Sequence, residues 1–213
     1  MKRLLAFIDE DRGLYALAGL LMISEFALIP VAGAGALRVG AANALLGLAL
    51  AGGAFCVAPS RRLKVFIVAV AIVGAVVLLL PSSNSTLTGR TVLFSLRFVL
   101  LLILTGVIGA AVFSPGRVNA HRVVGAVVLY LQLALLFGDA YSLIADFSPN
   151  AFAFQHPNEN TAWPLYFSFS TITTVGYGDI APVSPFARSL AGFEAVFGTL
   201  YPSTVIARLL TLR

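Results

Sequence analysis

Long runs of apolar residues dominate this chain, separated by short polar or glycine- and proline-rich breaks. An α-helix needs about 20 apolar residues to cross the hydrocarbon core of a bilayer. Six runs are long enough, within a few residues at each boundary. They are residues 14–31, 39–57, 63–80, 92–113, 123–144 and 187–210. The pattern therefore predicts an all-α membrane protein with six transmembrane helices.

A seventh apolar run, residues 162–173, is too short to span a bilayer. It lies between the fifth and sixth long runs. A short helix at membrane depth is tolerated where protein or a water-filled cavity surrounds it. We therefore expect a re-entrant helix at this position.

Composition supports the membrane assignment. The chain is 59% hydrophobic and 11% charged, with a mean hydropathy of +0.96, whereas soluble domains carry about 25% charged residues. A net charge of +5 could indicate nucleic-acid binding in a soluble protein. Here the basic residues lie between apolar runs, so membrane topology explains them better and no nucleic-acid partner is expected. The single cysteine excludes an intrachain disulfide.

Lysine and arginine positions predict the orientation, because cytoplasmic loops carry more of them. One side collects Lys2, Arg3, Arg12, Arg61, Arg62, Lys64, Arg117, Arg122, Arg208 and Arg213. The other side holds Arg38, Arg90 and Arg188. Both termini are therefore expected in the cytoplasm of a multi-pass protein of a prokaryotic plasma membrane. We divide the chain into a cytoplasmic segment at 1–13, a peripheral four-helix domain at 14–117 and a C-terminal domain at 118–213.

The segment TTVGYGD at residues 173–179 carries the most specific chemistry in the chain. A dehydrated cation needs several oxygens around it, and a peptide can supply them by pointing consecutive carbonyls at one axis. That geometry needs alternating backbone twists, which glycine permits because it reaches positive φ without strain. Gly176 and Gly178 alternate with Val175 and Tyr177 as required. The side chains of Val175 and Tyr177 can then point away from that axis and pack behind the segment.

This segment and the helices around it resemble the pore of the potassium-channel family, over about residues 123–213. The resemblance implies that the domain at 118–213 is a pore domain. The resemblance implies K⁺ sites made by the carbonyls of Thr174, Val175, Gly176 and Tyr177 and by the Thr174 hydroxyl, with Gly178 completing the filter. One loop supplies a quarter of a ring, so the resemblance implies a homotetramer in contact with membrane lipids. It implies no cofactor besides the permeant ion, and no small-molecule substrate is evident.

The chain departs from voltage-gated relatives in its fourth span. There, arginines recur every third residue, whereas residues 92–113 contain only Arg97. Voltage gating requires about three to four charges in each subunit. The sequence therefore predicts the six-span layout without strong voltage gating, and it does not reveal the gating stimulus.

The residues expected to support the filter also differ from some relatives. Those relatives carry a glutamate four residues before the first filter threonine, where this chain has Ser170. Tyr166 matches a family aromatic and is the remaining candidate donor to Asp179. Thr173, directly before the filter, belongs to the same supporting set.

The sixth span contains a candidate gate. Gly198 aligns with the glycine hinge of the family, and Pro202, one turn later, removes a backbone hydrogen bond. The alternative is that glycine and proline are simply common in membrane helices. In the same register, Thr199, Pro202, Ile206 and Leu210 are expected to face an inner cavity.

Four charges lie at similar depth within the predicted spans: Glu25, Arg97, Asp139 and Glu194. Buried charges are costly and normally pair or serve a function. We expect Arg97 to bridge Glu25 or Asp139. Glu194 is expected to contact the filter or the re-entrant helix instead, partly protonated. The alternative is that Arg97 extends outward and each acid finds its own polar neighbour.

Three rival functions remain to be compared with a channel. A transporter derived from channels carries four filter-like loops in one chain, whereas this chain has one. A non-conducting scaffold should carry a damaged filter, and this one is intact. An enzyme is discounted because no Ser/His/Asp set, metal cluster or phosphate loop converges in the sequence.

Overall fold

The computed structural model describes residues 60–79, 87–113, 120–155 and 163–211. Its elements in chain order are α1 (Arg61–Leu79), α2 (Leu87–Val112), α3 (Ala120–Phe147), β1 (Phe152–Phe154), α4 (Trp163–Ile172), β2 (Ile180–Pro182) and α5 (Pro185–Thr211). The predicted cytoplasmic segment and the first two predicted spans lie outside the described residues.

The helices follow the apolar runs of the sequence. The third to sixth predicted spans correspond to α1, α2, α3 and α5, and the short run between the last two forms α4. Two stretches are long and apolar enough to cross a bilayer, Leu87–Ala110 and Arg122–Phe147, with mean hydropathies of 2.4 and 1.9. The protein is therefore mostly helical with two candidate membrane-spanning helices, and the count of six spans stays a prediction.

A pair of short strands adds to the all-α fold that the sequence predicts. β1 and β2 pair antiparallel, with Phe152 opposite Pro182 and Phe154 opposite Ile180. Three-residue strands carry too little alternation to register in a hydrophobicity pattern. Their pairing depends on the tertiary contacts that bring the two loops together, which the sequence pattern does not contain.

Capping residues explain where α5 begins. Ser184 accepts a hydrogen bond from the Ala187 amide on its Oγ at 3.2 Å, and its carbonyl accepts from the Arg188 amide at 3.0 Å. Pro185 occupies the first helical position, where its fixed φ and missing N–H cost nothing. The helix therefore starts two residues before the apolar run at 187–210.

The chain divides into two compact units after Gln132, within α3. In the first unit, α1 packs against α2. A stripe of α2 is buried at Leu101, Leu104, Ile108 and Val112. This spacing places the four side chains on one helical face. The Gln132 amide donates to the Leu101 carbonyl at 3.4 Å.

The second unit, residues 133–213, has its own hydrophobic core. The members of this core are Phe137, Tyr141, Ala151, Phe152, Phe167, Ile180, Ala187 and Ala191. They come from α3, α4, α5 and both strands. The Phe167 ring meets Tyr141 edge-on, with centroids 4.9 Å apart, in the geometry that aromatic pairs prefer. This core fixes α4, and with it the loop at 173–179.

Candidate ion-binding filter

The backbone of the filter alternates between left- and right-handed twist. Thr174, Gly176 and Gly178 have positive φ values of 62°, 56° and 80°. The prediction of positive φ at the two glycines is correct. The positive φ of Thr174 extends the alternation to a β-branched residue, for which a left-handed conformation is uncommon and strained. Alternation of the sign of φ along residues 174–178 is the backbone geometry that the predicted filter requires.

The start of the filter is tied to the end of α4. The Gly176 amide donates to the Ser170 carbonyl at 3.0 Å, and the Thr174 amide donates to the Thr171 carbonyl at 2.9 Å. These bonds occupy carbonyls that would otherwise lack partners at the helix terminus. The C-terminal end of a helix dipole is also negative, which favours a cation nearby. α4 thus anchors the filter backbone and contributes a field of the appropriate sign.

The side chains between the positive-φ positions lie away from the core of the chain. Val175 is 54% exposed and Tyr177 is 68% exposed. The Tyr177 ring stacks on Tyr166 with centroids 5.9 Å apart and planes 9° apart. Tyr177 therefore packs on a side chain of α4, while more than half of the Val175 side chain is exposed.

The hydrogen bond that the sequence predicts between Tyr166 and Asp179 is present. The Tyr166 hydroxyl donates to Asp179 Oδ2 at 2.8 Å. Ser170 is buried and donates to the Phe167 carbonyl at 3.0 Å, within its own helix. Thr173 likewise donates to the Phe169 carbonyl at 2.6 Å. Tyr166 is thus the side chain that links α4 to the end of the filter, while the two other hydroxyls are bonded within the α4 segment.

Glu194 joins three helices of the second unit. It lies on α5 with 0% of its surface exposed. The Tyr141 hydroxyl, on α3, donates to its Oε2 at 2.5 Å. Ser168, on α4, hydrogen-bonds its Oε1. The expected contact of Glu194 with the re-entrant helix is therefore present, and Tyr141 is a partner that the sequence did not indicate.

A count of hydrogens bears on the charge of this carboxyl group. The Ser168 hydroxyl also lies 2.7 Å from the Ala134 carbonyl on α3. A serine hydroxyl has one hydrogen. Both contacts of Ser168 are full hydrogen bonds only when a neutral Glu194 carboxyl supplies the second hydrogen. The geometry thus suits a protonated acid at this position.

Gly198 has a packing role in addition to its position in the predicted gate. A Cβ built on it would overlap the Ile172 carbonyl oxygen and lie 2.7 Å from the carbonyl carbon. Real Cβ atoms do not approach so closely, so only glycine lets α5 contact the end of α4 here. Thr199 and Pro202 are exposed, as cavity positions should be. The side chains of Ile206 and Leu210 lie outside the described residues.

The remaining charges of the predicted network are only partly described. Asp139 is 1% exposed on α3. The Arg97 guanidinium carbon lies 5.2 Å from the centroid of the Phe94 ring, within the range of a cation–π contact. Glu25 lies outside the described residues. Bridging of Arg97 to either acid stays a prediction.

Three features of the site were missed by sequence reasoning. Ser168 and Tyr141 are polar groups inside apolar runs, and that position alone could have marked them as partners for a buried acid. Gln155, from the loop before α4, donates through its side-chain amide to the Gly178 carbonyl at 3.1 Å. No local pattern marks Gln155, because its contact depends on the pairing of β1 with β2.

Comparison with known proteins supports an ion-channel assignment for this part of the chain. The "Ion channel" family model matches residues 129–212. The inward rectifier potassium channel Kirbac3.1 of Paramagnetospirillum magnetotacticum is 38% identical over 72 residues, 34% of this chain and 23% of the relative. The potassium voltage-gated channel protein shk-1 of Caenorhabditis elegans is 43% identical over 70 residues, 31% of this chain and 13% of the relative.

The matched segments cover less than a quarter of either relative. No solved structure matches the chain at a comparable level of significance. The family match nevertheless contains the filter, the helix that anchors it and the buried acid behind it. Residues 129–212 thus match the ion channel family model, and the two relatives that this part of the chain resembles are potassium channel proteins.

Proposed function

We propose that this protein is one subunit of a homotetrameric, potassium-selective channel of a plasma membrane. The observation that carries the proposal is the alternating positive φ at Thr174, Gly176 and Gly178 in an intact TVGYG segment. Rings of backbone carbonyls are how potassium filters replace the hydration shell of the ion. The carbonyls of residues 174–177 and the Thr174 hydroxyl are the proposed K⁺ ligands.

The exposure of apolar side chains in a single chain supports assembly. Phe186, Phe193 and Leu200 of α5 are 70%, 57% and 57% exposed, and Val175 and Tyr177 of the filter are similarly open. Large apolar groups are normally covered, either by lipid or by another subunit. In the proposed tetramer, neighbouring copies cover the back of the filter, and lipid covers the outer helices.

The proposed arrangement places α3, α4 and α5 around the axis, with the preceding helices at the periphery and both termini in the cytoplasm. The excess of lysine and arginine on one side of the apolar runs supports this orientation. Chemical crosslinking or native mass spectrometry tests the assembly. A monomer or dimer as the sole stable species would contradict it.

Selectivity is tested by reconstituting purified protein in liposomes or planar bilayers. We expect K⁺ flux, and reversal potentials in mixed K⁺ and Na⁺ gradients that follow K⁺. A permeability ratio near one would refute the proposal. A protein that assembles but carries no ions would instead favour the non-conducting scaffold.

Two glycine substitutions provide a matched pair for the same assay. A Cβ at Gly178 or at Gly192 would meet nothing within 4 Å, but Gly178 has a φ of +80° whereas Gly192 is helical. Alanine in a left-handed conformation costs about 1–2 kcal/mol. Gly178→Ala should therefore impair conduction while Gly192→Ala leaves it near wild type, so the difference reports backbone conformation and not crowding.

The predicted bridge of Arg97 has its own test in assembly yield. Removing one partner of a buried pair leaves a lone charge, at a cost of about 3–5 kcal/mol. Arg97→Ala should therefore lower the yield of tetramer more than the same change combined with neutralisation of Glu25 or Asp139. If neither double variant recovers, the pairing is wrong.

A further inference from the structure

The segment that follows the filter is paired with the loop that precedes α4. We call this pairing of residues 151–155 with residues 178–184 the outer clamp. Its two ends are backbone hydrogen bonds: the Gln155 amide donates to the Asp179 carbonyl at 2.9 Å, and the Val183 amide donates to the Ala151 carbonyl at 2.7 Å. Between these two bonds, the residues of β1 and β2 pair in an antiparallel register.

The positions of the bonds explain why a proline is accepted in β2. In an antiparallel pair, hydrogen-bonded and non-hydrogen-bonded residue pairs alternate. The bonds at Gln155 and Val183 place Phe152 and Pro182 in a non-hydrogen-bonded pair, where a missing N–H removes nothing from the ladder. Ala153 and Ala181 form the hydrogen-bonded pair at the centre.

Aromatic residues of β1 hold the clamp to α4, and Phe154 meets Trp163 edge-on with ring centroids 5.1 Å apart. Phe152 is 6% exposed, and its ring lies 4.8 Å from that of Trp163 and 5.6 Å from that of Phe167, centroid to centroid. Both partners belong to α4, the helix that anchors the start of the filter. The same helix therefore supports the filter at its inner end directly and at its outer end through β1.

Gln155 extends the clamp to the filter itself. Its side-chain amide donates to the Gly178 carbonyl at 3.1 Å, and Gly178 is the last positive-φ residue of the alternation. Carbonyl oxygens that converge on one axis repel one another when no cation lies between them. Glycine offers little resistance to rotation of its peptide. An N–H donor on this oxygen offsets its partial negative charge and holds its direction.

We propose that Gln155 is a positioning residue that keeps the outer end of the filter in its conducting conformation when the outermost cation site is empty. The inference rests on the proposed function as a potassium channel and deepens it. When external K⁺ is abundant, an ion coordinated by the neighbouring Tyr177 carbonyl also attracts the Gly178 carbonyl, and Gln155 contributes little. When external K⁺ is scarce, the hydrogen bond from Gln155 replaces the ion as the group that orients this carbonyl.

The test compares variants at high and low external K⁺ in reconstituted bilayers. Gln155→Ala removes the donor, and Gln155→Glu keeps the size of the side chain but places an acceptor there. At high K⁺ both should conduct with unchanged selectivity. At low K⁺ their currents should decay roughly three- to tenfold faster than wild type, the range expected for loss of one hydrogen bond.

Controls separate the side-chain bond from general damage to the loop. Asn150→Ala removes an exposed amide from the preceding turn and should behave as wild type at both concentrations. Ala153→Pro removes the central N–H of the ladder, and Ala153→Ser retains it; only the proline variant should reproduce the sensitivity to low K⁺. Because the Ala153 side chain is exposed, neither substitution places a new side chain in the core.

The outcomes distinguish this inference from the proposed function. If wild-type protein carries no K⁺ current, the proposed function fails. If wild type is selective but both Gln155 variants decay like wild type at low K⁺, the positioning role is wrong. A loss of current that is equal at all K⁺ concentrations also overturns the positioning role, since it would indicate a structural role for Gln155. Thermal stability of the purified oligomer across a K⁺ titration gives a second readout that does not need conduction.

Discussion

Replacing Glu194 by alanine removes the acceptor that joins α3, α4 and α5 of the second unit. Tyr141 is 0% exposed and donates to this carboxyl at 2.5 Å, so the substitution takes the acceptor away from a buried hydroxyl. A buried polar group that loses its partner costs about 1–3 kcal/mol. The void left by the carboxyl adds to that cost. In the proposed homotetramer every subunit carries the change, so the assembled protein should lose roughly four times this amount.

Glu194→Gln is the matched variant. Its amide oxygen can accept from Tyr141, and its amide N–H can donate to the Ser168 oxygen, which leaves the Ser168 hydrogen for the Ala134 carbonyl. This is the hydrogen arrangement of a neutral carboxyl group. We therefore expect the glutamine variant to retain most of the stability and the ion flux of wild type.

The assay is the temperature at which the purified oligomer loses its assembled form, measured beside K⁺ flux in liposomes. For a chain of this length, one kcal/mol corresponds to a shift of about 2–4 °C. Ser203→Ala provides a control, since that exposed hydroxyl bonds only to the Thr199 carbonyl of its own helix among the contacts described. Equal damage from glutamine and alanine would show that the acid acts as a charge. An alanine variant as stable as wild type would show that the three-helix contact contributes nothing.

Three further substitutions or measurements test other parts of the site. Gly198→Ala should separate α5 from the end of α4, and the overpacking should cost about 1–3 kcal/mol or more. The oligomer should then dissociate at a lower temperature. Unchanged stability would contradict the close approach of the two helices. Tyr166→Phe removes the hydrogen bond to Asp179, a charge-assisted bond contributing about 1.5–3 kcal/mol, so inactivation should be faster; conduction indistinguishable from wild type would make the bond unimportant. Conductance should depend weakly on voltage because Arg97 is the only basic residue within 92–113; a conductance–voltage curve as steep as those of voltage-gated channels, whose subunits each move about three to four charges, would refute this.

Most of the described helices could be predicted from the sequence because each depends on a local property. The apolar runs predicted α1, α2, α3 and α5, since length and hydropathy are readable without any tertiary contact. Boundaries shifted where capping decided them, as at Ser184 and Pro185 of α5. The positive φ of Gly176 and Gly178 was equally predictable, because it follows from the backbone freedom of glycine.

The tertiary structure decided everything that depends on residues far apart in the chain. The pairing of Gln155 with the end of the filter spans 23 positions, and that of Tyr141 with Glu194 spans 53. Neither contact leaves a periodic trace, since each joins residues of different segments. The positive φ of Thr174 was not predictable from the sequence, because a β-branched residue adopts that strained conformation only where surrounding hydrogen bonds impose it. The sequence by itself thus determined the apolar helices and the local chemistry of the filter, while packing of α3, α5 and the two strands around α4 determined which side chains hold that filter in place.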